Sequence, residues 1–193
     1  MTVVLSPDGN IRCPWGLASP DYVDYHDREW GQPVTSVSGL YERLSLEAFQ
    51  SGLSWITILR KRENFRAAFA GFAPDRVAAF GAGDIQRLMN DPGIVRNRAK
   101  IEATVANARV VVGLGEEFAR LILGFRQAGR PRPKSSTDIP VQTRESIALA
   151  GTLKQRGIRF FGPTTAYAMM QAVGLVDDHL ADCFAQIGSP NIQ

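Results

Sequence analysis

The chain of 193 residues has few metal-binding side chains, with only two cysteines and two histidines. It has no apolar run near the roughly 18 residues needed to cross a membrane. It also lacks a basic and apolar signal segment, since it opens with MTVVLSPDGN. These absences exclude a disulfide-rich secreted domain and a membrane-spanning protein. They favour a cytoplasmic protein, because structural disulfides are rare in that compartment.

Net charge is also small. A value of +3 permits an anionic partner without requiring one. A hydrophobic content of 45% suffices for one compact domain over residues 1–193. The positive charges are clustered, which favours nucleic-acid binding, although each cluster could equally be a solvated surface. The clusters are Arg60, Lys61, Arg62 and Arg66; Arg96, Arg98 and Lys100; and Arg126, Arg130, Arg132 and Lys134.

Alternation with a period of two residues is absent, and nearly every periodic segment predicts a helix. Leu40, Leu44 and Ala48 recur at helical spacing after Ser38, which we expect to cap that helix. Residues 129–140 include three prolines, and we expect a linker or mobile loop there. The sequence therefore predicts an all-α fold.

The cysteines and histidines divide between the two ends of the chain. Cys13 and His26 lie in a stretch that looks irregular, while His179 and Cys183 are four residues apart and would share one face of a helix. A Cys2His2 set is typical of a closed, tetrahedral zinc site. The alternatives are one disulfide, or buried cysteines and hydrogen-bonded histidines. A closed zinc site leaves no open position on the metal, so a zinc hydrolase is disfavoured and catalysis must lie elsewhere.

Glu47 falls on the apolar stripe of the helix after Ser38. A carboxylate facing a core is costly unless it is paired. Glu47 is therefore either part of a structural ion pair or hydrogen bond, or a functional acid in a pocket. Nearby aromatic side chains could belong to an ordinary core or could stack on a nucleobase. These side chains are Trp15, Tyr22, Tyr25 and Trp55.

Residues 84–112 have the plan of a short helix, a tight turn and a longer helix. The turn reads NDPGI at 90–94, and the second helix begins with Arg96, Asn97 and Arg98. This pattern predicts either a plain αα-hairpin or a helix-hairpin-helix motif. The latter binds a DNA phosphate through backbone N–H groups and the N-terminus of its second helix.

Together these residues resemble the type I 3-methyladenine DNA glycosylases, within the helix-hairpin-helix glycosylase superfamily. The matching strings are RCPWG at 12–16, YHDREWG at 25–31, LEAFQSGLSWITILRKRENF at 46–65, DPGIVRNRAKI at 91–101 and FFGPTTAYAMMQAVGLVDDH at 160–179. The resemblance implies a helix-hairpin-helix bundle whose zinc-binding ends lie at about 12–31 and 174–184. It also implies excision of flipped-out 3-methyladenine from alkylated double-stranded DNA.

The resemblance further implies roles for individual residues. One structural zinc ion would be held by Cys13, His26, His179 and Cys183. Glu47 would recognise the base or act as a general base for water, inside a pocket of Trp15, Tyr22, Tyr25 and Trp55. Leu53 would press into the duplex, and further DNA contacts would come from Gly93, Arg96, Arg98 and Lys100.

Many superfamily members carry a catalytic aspartate shortly after the hairpin. Residues 106–113 contain none, as in the type I family, which argues against a mechanism that needs a carboxylate beside the sugar. We expect a monomeric enzyme without lyase activity. The alternative is a non-catalytic, zinc-stabilised module that binds alkylated DNA.

Overall fold

The protein is described by a computed structural model that covers residues 2–127 and 129–187. Over those residues it is mostly helical, as predicted, with nine α-helices. They are α1 (Pro20–Arg28), α2 (Val37–Gln50), α3 (Trp55–Ala68), α4 (Pro74–Ala78), α5 (Ala82–Asn90), α6 (Arg98–Leu114), α7 (Glu116–Leu123), α8 (Arg144–Gln155) and α9 (Pro163–Ala172). No helix in the described part of the chain is both long enough and apolar enough to span a bilayer.

A small antiparallel hairpin precedes the helices, and the sequence did not predict it. β1 (Val4–Leu5) pairs with β2 (Ile11–Arg12). Strands of two residues are too short for a recognisable alternation. The backbone N–H of Phe184 donates to the carbonyl of Ile11 at 2.8 Å, so β2 also ties the C-terminal segment to the start of the chain.

Part of the stretch expected to be irregular is the helix α1. Ser19 caps this helix by accepting a hydrogen bond from the backbone N–H of Tyr22, and Pro20 occupies its first turn. Serine at the cap followed by proline is a favourable helix start. Tyr25 and His26 therefore occupy successive positions on a helix, with directions fixed by its geometry.

Helix α2 is the centre of the packing, since it contacts α3, α6, α7 and α9. Its cap is Ser36 rather than the predicted Ser38, and the Ser36 hydroxyl accepts from the backbone N–H of Gly39. Leu40, Leu44 and Phe49 are completely buried. Fully burying such a side chain contributes roughly 1.5–3 kcal/mol. The helix that carries Glu47 is thus held from several sides.

The end of α9 docks against the loop after α1. The backbone N–H of Gly31 donates to the carbonyl of Ala172 at 3.3 Å. Gly174 has a φ of 70°, and a Cβ atom there would lie only 2.4 Å from the carbonyl oxygen of Gly31. Only glycine satisfies both conditions. This close approach brings the residues after α9 beside residues 12–31.

Candidate functional site

Glu47 faces a cavity rather than the packed core. Its side chain is only 5% exposed, and no hydrogen bond among the described residues reaches its carboxylate. Removal from water raises the pKa of Glu47 to about 8, opposed by the positive charge of Arg43 one turn earlier on α2. Unpaired and buried, Glu47 is neutral at pH 7 in the free protein.

All four predicted aromatic residues line the cavity of Glu47, which has a volume of about 390 Å³. The ring of Trp15 meets that of Tyr22 edge-on at 5.8 Å, and Tyr25 lies 5.4 Å from Trp55. The phenol oxygen of Tyr22 accepts a hydrogen bond from the backbone N–H of Ile56 and so joins α1 to the start of α3. The aromatic wall is therefore built from separate segments that the fold brings together.

The cavity also contains residues that sequence reasoning missed. Trp30 adds a ring 5.0 Å from that of Trp15. The remaining lining residues that were not predicted are Ala18, Gln50, Ile139, Ala168 and Gln171. Trp30 belongs to the quoted YHDREWG string and could have been found there. Gln171 also belongs to a quoted string, the one at 160–179, but the helical pattern alone does not separate a pocket glutamine from a surface one.

The structure places a second, larger groove of about 700 Å³ beside α1. Its lining includes Asp24, Asp27 and Arg28 but no aromatic ring. This groove therefore offers no ring on which a flat base could stack. The aromatic cavity is the better candidate site.

Leu53 lies at the tip of the loop between α2 and α3, with 42% of its surface exposed. Gly52 has a φ of 83°, which turns the chain at this tip. Lys100 is buried behind the loop, and its ammonium group donates to the carbonyls of Phe49 at 2.9 Å and Ser51 at 2.5 Å. These bonds give Lys100 a structural role, whereas the sequence predicts that it contacts DNA.

The turn between α5 and α6 is held from α3. The ammonium group of Lys61 donates to the carbonyls of Pro92 at 2.9 Å and Gly93 at 3.3 Å. The N–H of Gly93 donates to the Asp91 carboxylate at 2.7 Å, so a phosphate would have to compete with that side chain. Arg96 precedes α6, whose cap is Asn97.

The basic clusters are less available than their positions in the sequence suggest. Arg60 and Arg62 bond to Asp21 and Glu29, and Arg66 bonds to Glu42 and Glu63. In the second cluster, Arg98 forms a longer pair with Glu102 at 3.5 Å, and both side chains are more than half exposed. Such exposed pairs contribute little and open easily.

Three of the four predicted metal ligands meet directly. The ligand atoms of Cys13, His26 and Cys183 all lie within 4.8 Å of one another. The fourth, His179, has its ring 5.2 Å from that of His26. His179 and Cys183 lie in an irregular segment after α9, so the possibility that they share a helix face is wrong. Both cysteines are free thiols, which excludes the disulfide alternative in this structure.

Both histidines are oriented by carboxylates. Nδ1 of His26 lies 2.8 Å from Asp27, and Nδ1 of His179 lies 3.0 Å from Asp177. This leaves Nε2 of each ring pointing away from its carboxylate. Nε2 of His179 is buried without a hydrogen-bond partner among the described residues. Contact with Cys13 and with His26 lowers the pKa of the Cys183 thiol, against the opposing effect of burial.

Residues 129–134, the first part of the 129–140 stretch expected to be a linker or mobile loop, are irregular in structure but anchored to the segment after α9. Arg132 donates to Asp177 and to the carbonyls of Cys183 and Ala185. The backbone N–H of Ala181 donates to the carbonyl of Pro133 at 2.8 Å. The segment therefore lies over the residues that follow α9, and the Arg132 side chain helps to hold it there.

The 106–113 stretch, which lacks an aspartate, lies within α6, and its residue Asn107 has a structural role. Asn107 is buried, and its amide bonds in both directions to the backbone of Arg159, at 2.8 and 3.1 Å. The amide is therefore committed to fixing the loop before α9. Residues 106–113 contain no Asp or Glu, so this stretch supplies no carboxylate to the cavity.

Comparison with known proteins gives a consistent result. The family described as methyladenine glycosylase matches residues 15–186. A DNA-3-methyladenine glycosylase of Haemophilus influenzae is 46% identical over 178 residues, which cover 89% of this chain and 96% of the relative. DNA-3-methyladenine glycosylase 1 of Escherichia coli is 44% identical over 183 residues, covering 92% and 98%.

Solved structures agree with these relatives. A crystal structure of a 3-methyladenine DNA glycosylase I superposes with a TM-score of 0.85 at 46% identity, covering 90% of this chain and 98% of the other. A structure of the 3-methyladenine DNA glycosylase I from Staphylococcus aureus, from a study of 3-methyladenine recognition, superposes with a TM-score of 0.83 at 37% identity. The match covers 90% of this chain and 95% of the other. Both comparisons extend over nearly the whole molecule.

Proposed function

Because the chain belongs to the methyladenine glycosylase family, we propose that the cavity of Glu47 receives 3-methyladenine flipped out of alkylated DNA. The activity is that of a DNA-3-methyladenine glycosylase, which acts in base-excision repair by releasing the damaged base. The observation that supports this site most strongly is Glu47 itself. A buried and unpaired carboxyl group in an aromatic cavity has no structural use but suits a ligand.

The aromatic rings of the pocket suit a base that carries positive charge. Methylation at N3 makes adenine cationic while it remains attached to the sugar. The rings of Trp15 and Trp55 offer π-faces that attract a cation once water is excluded. The same charge weakens the glycosidic bond, so the protein needs no strong acid beside the sugar. In agreement with this, Asn107 in the 106–113 stretch is bonded to the backbone of Arg159 and is no substitute for a catalytic acid.

Glu47 changes state when the base enters. A cation close to a carboxyl group favours its ionised form, so the bound base lowers the pKa of Glu47 and leaves a carboxylate that accepts from the exocyclic amine. A neutral normal base supplies no such charge and leaves Glu47 protonated. Glu47 either recognises the base alone or also takes a proton from the attacking water. Water attack at C1′ yields the free base and an abasic site, and we expect no lyase step.

The duplex surface would run from the α5–α6 turn to Leu53. We propose that the turn and α6 form a helix-hairpin-helix motif whose N–H groups meet a phosphate. Arg96 and Arg98 would add attraction that depends on salt. Leu53, exposed at its loop tip, would enter the space left by the flipped base. The expected monomeric state and cytoplasmic location stay predictions.

We also propose one structural zinc ion between the ends of the chain. The unpartnered Nε2 of His179 beside a Cys–His–Cys group supports a fourth ligand, and two thiols with two imidazoles suit zinc. Asp27 and Asp177 hold the rings in the orientation that metal-binding histidines need. With four protein ligands, the ion would stabilise the fold and take no part in excision.

The test uses DNA treated with a methylating agent. The protein should release 3-methyladenine under single-turnover conditions, and Glu47→Gln should slow release about a hundredfold, because a directed polar contact is lost at the reacting base. Glu63→Gln, on the exposed face of α3, is the matched control and should behave as wild type. Binding of the methylated DNA without release of any base would instead support the non-catalytic module.

A further inference from the structure

Among the described residues of the pocket, Gln171 is a polar residue whose side-chain amide is held by a buried acid. Its Nε2 donates to Oδ2 of Asp178 at 2.8 Å. Asp178 is only 1% exposed and lies in the segment after α9. Gln171 itself sits on α9 and lines the cavity with Glu47. The amide is thus fixed from behind by a group that does not line the pocket.

The donor directions in this network have only one arrangement. Arg130 has only donors, and its Nη1 donates to the phenol oxygen of Tyr167 at 2.9 Å. The Tyr167 hydroxyl must then give its own proton to Oδ2 of Asp178, at 2.5 Å. Burial and the contact with Asp178 raise the pKa of Tyr167 to about 12, in keeping with a hydroxyl that stays protonated. Oδ2 is therefore purely an acceptor.

An acceptor at Oδ2 determines which end of the Gln171 amide faces it. The NH₂ group must point to Asp178, and Oε1 is left as the free end. No donor among the described residues bonds to Oε1. Amide orientation is ordinarily an assignment made from the hydrogen-bond network, and here the network permits one answer. Gln171 thus brings a carbonyl acceptor, and no free donor, to the cavity.

We infer that Gln171, locked by Asp178, selects adenine-type over guanine-type bases in the pocket. This inference rests on the proposed function. At the edge where 3-methyladenine has an amine, 3-methylguanine has the oxygen O6. A fixed acceptor pairs with the amine and opposes O6. Accepting O6 would require the amide to turn and break its bond with Asp178.

Asp178→Asn is designed to release this lock. Nη1 of Arg130 lies 3.2 Å from Oδ1 of Asp178 and would retain the oxygen of the new amide there. The new NH₂ would then face both the Tyr167 hydroxyl and Gln171. The hydroxyl oxygen, which already accepts from Arg130, can accept a second bond once its proton turns away. Gln171 would turn Oε1 towards the new NH₂ and its own NH₂ towards the cavity. The pocket would present a donor to O6. We expect the ratio of 3-methylguanine to 3-methyladenine release to rise about tenfold, since hydrogen bonds to charged groups are of that strength.

The measurement is the single-turnover release of both bases from one methylated DNA sample, separated by chromatography. A ratio taken within one protein sample is insensitive to loss of folded protein. Tyr167→Phe is the matched control, because it removes a neighbouring bond to Asp178 but keeps the bond from Gln171. It should retain the wild-type ratio. Gln171→Met should lower the rate for 3-methyladenine about tenfold by removing the acceptor.

A ratio for Asp178→Asn within twofold of that for Tyr167→Phe and for wild type would overturn the role of Gln171 while leaving the proposed function intact. Release of neither base by the wild-type protein would overturn the proposed function, and this inference with it. A raised ratio in Tyr167→Phe equal to that in Asp178→Asn would also count against a lock specific to Gln171.

Discussion

The pocket and the Cys/His group treat buried polar atoms in opposite ways. In the Cys/His group, Nδ1 of each histidine has its own carboxylate, and Sγ of Cys13 accepts from the backbone N–H of Leu180 at 3.3 Å. In the pocket, the Glu47 carboxyl group feels the charge of Arg43 but has no hydrogen bond among the described residues. Nε1 of Trp55 is buried there without a partner. The first region leaves Nε2 of His179 buried without a partner, an atom suited to a metal ion, whereas the second leaves a carboxyl group and an indole N–H for an organic ligand. We therefore expect the Cys/His group to stabilise the fold. The pocket should lower the stability of the free protein, because its unpaired polar atoms are kept for a ligand.

The strongest test of this comparison is loss of a metal ligand. His179→Ala should destabilise the protein by more than about 3 kcal/mol, because the zinc site would no longer close over the two ends of the chain. The melting temperature and the metal content per chain would be measured together. A chelator should lower the melting temperature of the wild-type protein and leave that of the variant unchanged. An equal melting temperature for wild type and variant would contradict the stabilising role.

The second test concerns pH and should act in the opposite direction. Glu47 has a folded-state pKa of about 8, above its ordinary value of 4.5. The stability it contributes is therefore present below pH 4.5 and is lost as the pH rises towards and through 8. Glu47→Gln removes this loss. At pH 9 the variant should be more stable than wild type by a few kcal/mol, on the order given by the shift.

Chemical denaturation of wild type and Glu47→Gln at pH 4.5, 6.5 and 9 would measure this effect. The difference between the two proteins should grow across the series, while other groups cancel because both proteins contain them. A constant difference would mean that Glu47 keeps an ordinary pKa and is not desolvated as described.

A smaller effect should follow from the carboxylate behind a ligand. Asp177→Asn leaves all four cysteine and histidine residues in place but weakens the partner of His179. Zinc affinity should fall about 10–100-fold, as for other outer-sphere partners of metal-binding histidines. Competition with a chromogenic chelator would measure it. Asp24→Asn, on the exposed side of α1, is the control and should keep the wild-type affinity.

The smallest effect should come from Trp55. Trp55→Phe keeps an aromatic face but removes the unpartnered indole N–H, so the stability should change by no more than about 0.5 kcal/mol. Affinity for free 3-methyladenine should fall a few-fold, because phenylalanine offers the base a smaller ring to stack on than tryptophan does. Calorimetric titration would measure the affinity. A large loss of stability would show that Nε1 has a partner in solution.

Much of both regions was predictable, for reasons that differ. The helical class followed from periodicity, and Glu47 stood out because a carboxyl group on an apolar stripe conflicts with its surroundings. The resemblance to the family then predicted four metal ligands, three of which lie within 4.8 Å of one another in the structure. The two-residue strands, the cap at Ser36 and the anchoring of Arg132 were not predictable, because each depends on contacts between segments far apart in sequence. The same holds for Gln171, whose orientation is set by residues on two other segments.

The contacts of two lysines with backbone carbonyls have a mechanical consequence. Lys100 on α6 holds the carbonyls of Phe49 and Ser51, and Lys61 on α3 holds those of Pro92 and Gly93. The path from the Leu53 loop along α3, across to the α5–α6 turn, into α6 and back to the loop is therefore closed. A closed linkage cannot lengthen on one side alone. If the turn binds a phosphate as we propose, Leu53 meets the duplex at one fixed distance from that phosphate.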